Sequence, residues 1–293
     1  MLLKPMSGEP SGSVRERAAA LLGWTPRTWR RVHGGYTPAA RYVGSAGGER
    51  CFLKVATNAI TADMLRREAR AYAVVAGDFA PAFIGWDDDP DAPLLLIEDL
   101  SDATWPPPWT PALIDQVRAS IEAMHACSAD LPTLAEVMPD GLLGWTVVAE
   151  DPWPFLSLAL ASRAWLDRAL PTLAAEAACA VEGTALTHFD LRSDNICVTR
   201  SGPKFIDRAE ACQGNAALDL GFWLPSLELE RGPRPEVLLA GHAEVAARVS
   251  GYFAARAGLA IIPDAPRVRE IQRAQLATAL PWAQRALGLP PVA

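Results

Sequence analysis

The spacing of apolar residues divides the chain into a first part with strand-like alternation and a second part with helical periodicity. Residues 40–45 and 50–56 alternate between apolar and polar side chains, and "SAGGE" between them predicts a hairpin turn. The segments "PAFIGWDDD" and "APLLLIEDL" predict two further strands joined by an acidic turn. Between these pairs, "TADMLRREARAYAVVAG" repeats its apolar residues at helical intervals, which predicts one helix that stops at Gly77.

A proline-rich segment then interrupts the strand pattern. Four prolines lie within residues 106–111, where they can continue neither a strand nor the interior of a helix. The remaining sequence is mainly helical, in the segments "ALIDQVRASIEAMHACSAD", "FLSLALASRAWLDRALPTLAAEAACAV", "GNAALDLGFWLPSLELERG", "PEVLLAGHAEVAARVSGYFAARAG" and "PRVREIQRAQLATALPWAQRALG". A length of 293 residues fits two lobes that share a cleft. We therefore predict an α+β fold, with an antiparallel sheet and one helix in residues 1–99 and a mainly helical lobe in residues 100–293.

Charge and cysteine content exclude several classes of protein. The net charge of −7 and the pI of about 5.2 argue against a nucleic-acid partner and weakly favour a cationic small substrate. The five cysteines form no C-x-x-C pair and the four histidines are scattered, so we expect neither a disulfide framework nor a structural zinc site. With no secretory leader and no apolar run of membrane-spanning length, we expect a cytoplasmic protein without a membrane partner, as a monomer or a homodimer.

The segment "THFDLRSDNICV" contains several polar and charged residues directly before an apolar run. The segments "NICV" and "KFID" predict a short hairpin through "TRSG", which would bring Asn195 and Asp207 to one end of the same strand pair. An amide oxygen and a carboxylate are hard ligands that suit Mg²⁺, which completes its shell with phosphate oxygens and water. Asp190 is then free to receive a proton from a substrate hydroxyl. Any one of these residues alone would more simply be a turn or capping residue.

The spacing of "HFDLRSDN", "FIDRAE" and "GNAALDLGFW" resembles that of the aminoglycoside phosphotransferase and choline kinase family, the small-molecule branch of the protein-kinase-like fold. The resemblance extends from about residue 30 to residue 250. It implies a bilobal enzyme that uses ATP and Mg²⁺, with Asp190 as the catalytic base and with Asn195 and Asp207 as magnesium ligands. It also implies that Asp219 braces the catalytic loop by hydrogen bonding, and that His188 is structural.

Two arginines near these motifs need separate interpretation. Arg208 stands where the family often has a tryptophan, and it could pair with Glu210 or with another acidic group. Arg192 follows the proposed base by two residues, where a guanidinium could stabilise charge on the transferred phosphoryl group. A surface arginine in a local ion pair is an equally good interpretation of Arg192.

The first lobe contains candidate nucleotide-binding residues. Alternation along "CFLKVA" places Lys54 on the same strand face as Phe52, which suits a cleft, and Glu68 on the following helix is the natural partner of this lysine. Taken alone, Lys54 and Glu68 would be ordinary surface charges. The resemblance implies that Phe52 lies over the adenine and Ile97 behind it. It also implies that backbone groups of Glu98 and Leu100 bind the adenine edge.

The loop expected to cover the phosphates has a weak signature. The segment "HGGYTPAARYVG" contains Gly34, Gly35 and Gly44 but no G-x-G-x-x-G. A flexible turn whose N–H groups approach phosphates is compatible with this segment. A plain hairpin turn is equally compatible with it.

The leading hypothesis is ATP-dependent phosphorylation of a hydroxyl on a small molecule, with an aminoglycoside or another antibiotic as acceptor and resistance as the outcome. The alternatives are a metabolic kinase of choline, an amino alcohol or a sugar, and a non-catalytic pseudokinase that senses nucleotide. A protein kinase is disfavoured, because the segment after Asp207 is too short to hold a peptide. Acidic and aromatic residues that could line the acceptor site are Trp145, Asp151, Trp153, Trp223, Glu228 and Glu230.

Overall fold

The computed structural model describes residues 8–33, 35, 37–139, 142–180, 183–263 and 265–292. The chain forms two compact units. The first comprises Met1–Thr104 with Cys197–Ala209, and the second comprises Trp105–Ile196 with Glu210–Ala293. The first unit thus includes a segment that lies far along the chain. No helix among the described residues is both long enough and apolar enough to cross a membrane.

The first unit is built on a five-stranded antiparallel sheet. Its strands are β1 (Thr28–Val32), β2 (Ala40–Ala46), β3 (Glu49–Val55), β4 (Phe83–Asp87) and β5 (Leu94–Ile97), in the order β1-β2-β3-β5-β4. Helix α1 (Gly12–Leu22) precedes the sheet, and α2 (Ala59–Val74) connects β3 to β4. The predicted hairpin, the single helix after it and the second strand pair are confirmed. Helix α1 is a second helix where one was predicted for residues 1–99. The edge strand β1 is also an addition, because its sequence "TWRRV" has no clear alternation.

Alternation along β3 sends its side chains to two different apolar clusters. Cys51, Leu53 and Val55 belong to the cluster that contains Val14 and Ala18 of α1. Phe52, on the opposite face, packs against the cluster that contains residues of α2. Helix α2 begins at Asn58, whose side chain accepts from the Thr61 N–H while the Thr61 hydroxyl accepts from the Asn58 N–H, a capping box that fixes the start of the helix.

A short hairpin, apart from its first residue Ile196, belongs to the first unit. Its strands are Ile196–Thr199 and Gly202–Phe205, as predicted from "NICV" and "KFID". Thr104 and Val198 exchange two backbone hydrogen bonds of 2.9 and 2.8 Å, and the Phe205 N–H donates to the Phe79 carbonyl at 2.8 Å. These bonds attach the hairpin, and with it Asp207, to the first unit.

The second unit is mainly helical. Its helices are α3 (Pro111–His125), α4 (Leu134–Val137), α5 (Gly144–Glu150), α6 (Trp153–Leu156), α7 (Arg163–Cys179), α8 (Ala216–Leu229), α9 (Pro235–Leu238), α10 (Ala243–Ala257) and α11 (Val268–Ala286). Helix α10 packs against α5, α7, α8 and α11 and is therefore central to this unit. A two-stranded sheet of Ala185–Thr187 and Cys212–Gly214 leads into the segment that contains Asp190.

Two segments predicted as continuous helices are interrupted. The segment 155–181 divides into α6 and α7, because Ala159 has a positive φ of 55° and Ser162 begins a new helix by accepting from the Trp165 N–H at 3.1 Å. The segment 235–258 divides into α9 and α10 around Gly241, which has a φ of 78°. The apolar periodicity of the sequence continues across both breaks. It therefore does not predict where these helices are interrupted.

Candidate active site

The carboxylate of Asp190 is held by neighbours in its own loop. Its Oδ2 accepts hydrogen bonds from Arg192 Nη2 at 3.0 Å and from Asn195 Nδ2 at 2.9 Å. Asn195 Nδ2 also donates to the Asp190 carbonyl at 2.7 Å, across a 3₁₀ turn formed by Ser193–Asn195. Three residues predicted from spacing are thus brought together. Arg192 also pairs with Asp194 at 3.3 Å, so it does form local ion pairs within the loop.

Asp219 connects helix α8 to the backbone of this loop. Its fully buried carboxylate accepts from the His188 N–H at 3.0 Å and from the Phe189 N–H at 2.7 Å, as expected for the brace. Phe189 has a φ of 59°, a conformation that costs a bulky residue about 1–3 kcal/mol and that persists only where other contacts impose it. The Asp219 carboxylate supplies two such contacts.

Two histidines complete the support of the loop. His188 is fully buried, and its Nδ1 accepts from the Asp190 N–H at 3.2 Å, so this residue orients the backbone at Asp190. His125, at the end of α3, lies with its Nε2 2.9 Å from Asp219 Oδ2. Sequence reasoning missed His125, because nothing in its local sequence indicates a partner 94 residues away.

Glu230, at the end of α8, contacts the same loop from another direction. One of its oxygens accepts from the Ser193 hydroxyl, and the other accepts from Trp109 Nε1 at 2.7 Å. Glu230 was a candidate for lining the acceptor site, and these bonds show that it also holds the loop. Ser193 and Trp109 were missed, because a serine beside "DLR" and a tryptophan among prolines have no distinctive spacing.

In the first unit, Lys54 lies between two carboxylates. Its Nζ is 2.7 and 2.9 Å from the two oxygens of Glu68 and 3.0 Å from Asp207 Oδ1. Lys54 and Glu68 are almost completely buried, whereas about a third of the Asp207 side chain is exposed (34%). Burial by itself would lower the pKa of Lys54, but Asp207 and Glu68 outweigh it, and the net result is a raised pKa. The lysine is therefore held in its charged form.

Asp207 lies two residues after the hairpin and has an unusual backbone, with a φ of 64°. Arg208 after it is buried. Its Nη2 donates to the Phe79 carbonyl at 3.1 Å, its Nε donates to the Phe205 carbonyl at 3.2 Å, and its guanidinium lies over the rings of Tyr72 and Phe79. The side chain thus lies in an aromatic environment inside the first unit, where it bonds to backbone carbonyls.

The residues expected around the adenine lie on one side of the sheet or directly after it. Phe52 and Ile97 pack in the same cluster as Leu65, Ala69 and Tyr72 of α2. The Glu98 N–H donates to the Ala82 carbonyl at 2.9 Å. The backbone group of Glu98 that could bind the adenine edge is therefore its carbonyl oxygen. The Leu100 carbonyl accepts from the Ala103 N–H at 3.0 Å, so the N–H is the backbone group of Leu100 that we assign to this role.

The glycines of the predicted phosphate loop have different functions. Gly34 lies outside the described residues. Gly44 is within β2, where a Cβ would lie 2.8 Å from the Trp29 ring and 3.0 Å from Cys51 Sγ, so this glycine permits sheet packing. Gly35 has a φ of 74°, and a Cβ there would lie 2.7 Å from Nη2 of Arg41. Arg41 was not among the sequence candidates, and it lines the same pocket as Lys54.

The other acceptor-site candidates are divided between core and surface. Trp145 is fully buried and donates from Nε1 to the Ala247 carbonyl at 2.9 Å, and Trp223 is also fully buried. Trp153 is exposed, with Asp151 accepting from its N–H at 3.2 Å. Glu228 is half-buried, and burial raises the pKa of its carboxyl. The two buried tryptophans are therefore core residues.

The two residues predicted to bind magnesium each have a donor atom of the kind that Mg²⁺ uses. Among the described residues there is no group of three or more His, Cys, Asp or Glu side chains that could enclose a metal. Mg²⁺ needs no such group, since it uses one or two protein oxygens and completes its shell with phosphate and water. The partly exposed Asp207 carboxylate and the amide of Asn195, which donates from its nitrogen and so keeps its oxygen as acceptor, are ligands of the required kind.

Comparison with known proteins gives one family and one fold. A model of the phosphotransferase enzyme family (APH) matches residues 28–281. A search of curated protein sequences gives no match.

Solved structures of the same fold include a thermostable variant of aminoglycoside phosphotransferase APH(4)-Ia with ADP and hygromycin B (TM-score 0.60, 16% identity, 94% of this chain and 98% of that one). They also include an aminoglycoside-3'-phosphotransferase of type VIII (TM-score 0.52, 21% identity, 92% and 100% covered). Choline kinase LicA from Streptococcus pneumoniae is a third (TM-score 0.58, 12% identity, 94% and 98% covered). Identities this low show a shared fold, and the predicted protein-kinase-like α+β class is confirmed.

Proposed function

The chain belongs to the phosphotransferase enzyme family, and from that premise we propose that it transfers the γ-phosphoryl group of ATP to a hydroxyl of a small molecule. The observation that carries the proposal is the burial of Lys54 between Glu68 and Asp207. Burying charged groups costs free energy, because they lose their contacts with water. Hydrophobic residues of similar volume often make a protein as stable as a buried ion pair does, or more stable. A lysine retained in this setting is explained by a ligand whose phosphates it must meet.

The first unit would bind the nucleotide. Lys54 contacts the α- and β-phosphates, and Glu68 fixes the position of the ammonium group. Phe52 and Ile97 form the apolar surface for the base, with the carbonyl of Glu98 and the N–H of Leu100 at its edge. Asp207 and Asn195 would hold Mg²⁺. When bound, that ion neutralises developing charge on the phosphate oxygens.

Asp190 would orient the acceptor hydroxyl and take its proton. The hydroxyl oxygen forms a bond to the γ-phosphorus while the bond to the bridging oxygen breaks, so that ADP leaves and the proton is held by Asp190. Arg192, paired with Asp190 at 3.0 Å, would place a positive charge beside the transferred group. Asn195, Asp219 and His188 keep the loop in the required conformation.

An aminoglycoside or another hydroxylated antibiotic is the acceptor we favour, with resistance as the physiological result. Two observations support this choice: a net charge of −7, and the acidic residues Glu228 and Glu230 at the end of α8. Choline, an amino alcohol or a sugar is the second candidate. We further propose a cytoplasmic enzyme, since ATP is abundant there and all five cysteines are free thiols.

A nucleotide-sensing pseudokinase is the rival proposal from another functional class. It is disfavoured because Lys54, Glu68, Asp190, Asn195 and Asp207 are all present. A chain that only senses nucleotide has no need for a base, yet Asp190 is held in place by Arg192 and Asn195.

The test is ADP release from Mg²⁺-ATP in the presence of aminoglycosides, other hydroxylated antibiotics, choline and sugars. We expect acceptor-dependent turnover that falls by at least about 10³-fold in Asp190→Asn, since loss of a catalytic base and of its orienting charge affects every turnover. Asp115→Asn is the control: it removes one carboxylate charge at an exposed position of α3, outside this loop, and it should keep most of the activity. Mg²⁺-ATP binding without turnover on any acceptor would favour the pseudokinase.

A further inference from the structure

Arg41 lies directly opposite Lys54 in the sheet. The two residues are Cα partners on the antiparallel strands β2 and β3, so their side chains leave the same face of the sheet side by side. Both side chains line one pocket, together with Glu68 and Asp207. The charge of Arg41 is close enough to act on the ionisation of Lys54 and of Glu68.

The guanidinium of Arg41 holds the short turn of Thr37–Ala39, which precedes β2. Its Nη1 donates to the carbonyls of Ala39 at 2.9 Å and Thr37 at 3.3 Å, and its Nη2 donates to the Thr37 hydroxyl at 3.1 Å. The backbone at Gly35 passes so close that a Cβ there would lie 2.7 Å from Nη2. The turn is therefore organised around a positive charge.

The charges that line this pocket balance only if Arg41 is counted. Lys54 and Arg41 are cationic, and Glu68 and Asp207 are anionic. Without Arg41, the same lining would carry one excess negative charge beside the lysine. A polyphosphate would be repelled by such a lining, and Arg41 brings the lining to neutrality and so removes that net repulsion.

We propose that Arg41 is a second phosphate-binding cation, whose guanidinium contacts the polyphosphate of the nucleotide while it holds the Thr37–Ala39 turn. The inference rests on the proposed function and adds to it. It also gives a reason for the absence of G-x-G-x-x-G in this segment. A planar guanidinium with several donors replaces part of the backbone N–H array that a glycine-rich loop would offer.

The experiment measures dissociation constants for ATP, ADP and adenosine by calorimetry in the presence of Mg²⁺. Arg41→Gln should weaken ATP binding about 10- to 100-fold, the range for loss of a charged hydrogen bond, and should leave adenosine binding within about twofold. Arg41→Lys keeps the positive charge but loses the planar guanidinium with its several donors. Its ATP affinity should therefore lie between those of the wild type and Arg41→Gln. Arg50→Gln is the matched control, since it removes an arginine of the same hairpin that pairs with Asp99 and Asp102.

The possible results separate the two proposals. Unchanged ATP binding in Arg41→Gln would overturn the inference and leave the proposed function intact. An equal loss for ATP and adenosine would also overturn it, because the arginine would then only order the turn. A wild-type protein that fails to bind Mg²⁺-ATP would instead refute the proposed function. If Arg41→Gln does not fold, the ratio of ATP to adenosine affinity in Arg41→Lys decides, and an unchanged ratio overturns the inference.

Discussion

The carboxylate of Asp219 accepts a hydrogen bond of 2.7 Å from the N–H of Phe189, a residue with a φ of 59°. The contact joins a helix to a strained backbone position immediately before Asp190. The strained conformation of Phe189 persists because Asp219, which lies outside the loop, holds it by this hydrogen bond.

Asp219→Asn should therefore destabilise the protein and slow turnover together. An amide can accept only through its oxygen, so its NH₂ group would face a backbone N–H or His125 as a second donor. We expect a loss of about 1–3 kcal/mol in the free energy of unfolding, measured by urea denaturation, with a larger effect on kcat than on the KM for ATP. Asp115→Asn, at an exposed position of α3, is the control and should change neither quantity.

The buried pair of Lys54 and Glu68 predicts strong coupling between two substitutions. Lys54→Met leaves Glu68 buried without its cation, and we expect a loss of about 3–5 kcal/mol in unfolding free energy. Adding Glu68→Leu removes the second charge, so the double variant should be more stable than Lys54→Met alone, although inactive. Additive losses in a double-mutant cycle would contradict this account of the pair.

The contact between α5 and α10 depends on Gly144. A Cβ at this position would lie 1.8 Å from the Gly251 carbonyl oxygen, which is backbone and cannot move aside without shifting α10. Gly144→Ala should lower the unfolding free energy by about 3 kcal/mol or more, seen as a clear drop in Tm. Gly12→Ala has open space around it and should be neutral or slightly stabilising. Equal Tm values for the two variants would show that α5 and α10 are not packed in this way.

The cysteines should react in two classes with a thiol reagent. Burial raises the pKa of Cys51 to about 11 and those of Cys197 and Cys212 to about 12, so their reactive thiolates are scarce at neutral pH. Cys127 and Cys179 are partly or fully exposed. In the native protein we expect these two to react quickly and the other three only after denaturation. Fast reaction of three or more thiols in the folded protein would contradict the structure.

Much of the site follows from the sequence because its signals are local. Apolar alternation predicts the β2–β3 hairpin, and the spacing of Asp190, Asn195 and Asp207 follows from a turn and a short hairpin that involve only neighbouring residues. Strand alternation gives the direction of Lys54, and the resemblance to kinases calls for an acidic partner, for which Glu68 on the following helix is the candidate. The strand and turn inferences need only local backbone geometry.

Tertiary structure alone decided the partners that come from far away. His125 meets Asp219, Ser193 meets Glu230, and Arg41 organises the turn before β2. The breaks before α7 and α10 and the packing function of Gly44 belong to the same class. Local propensity sets the direction in which a side chain leaves the backbone. Which distant group it meets depends on how helices and sheet pack, and that packing is a property of the whole fold.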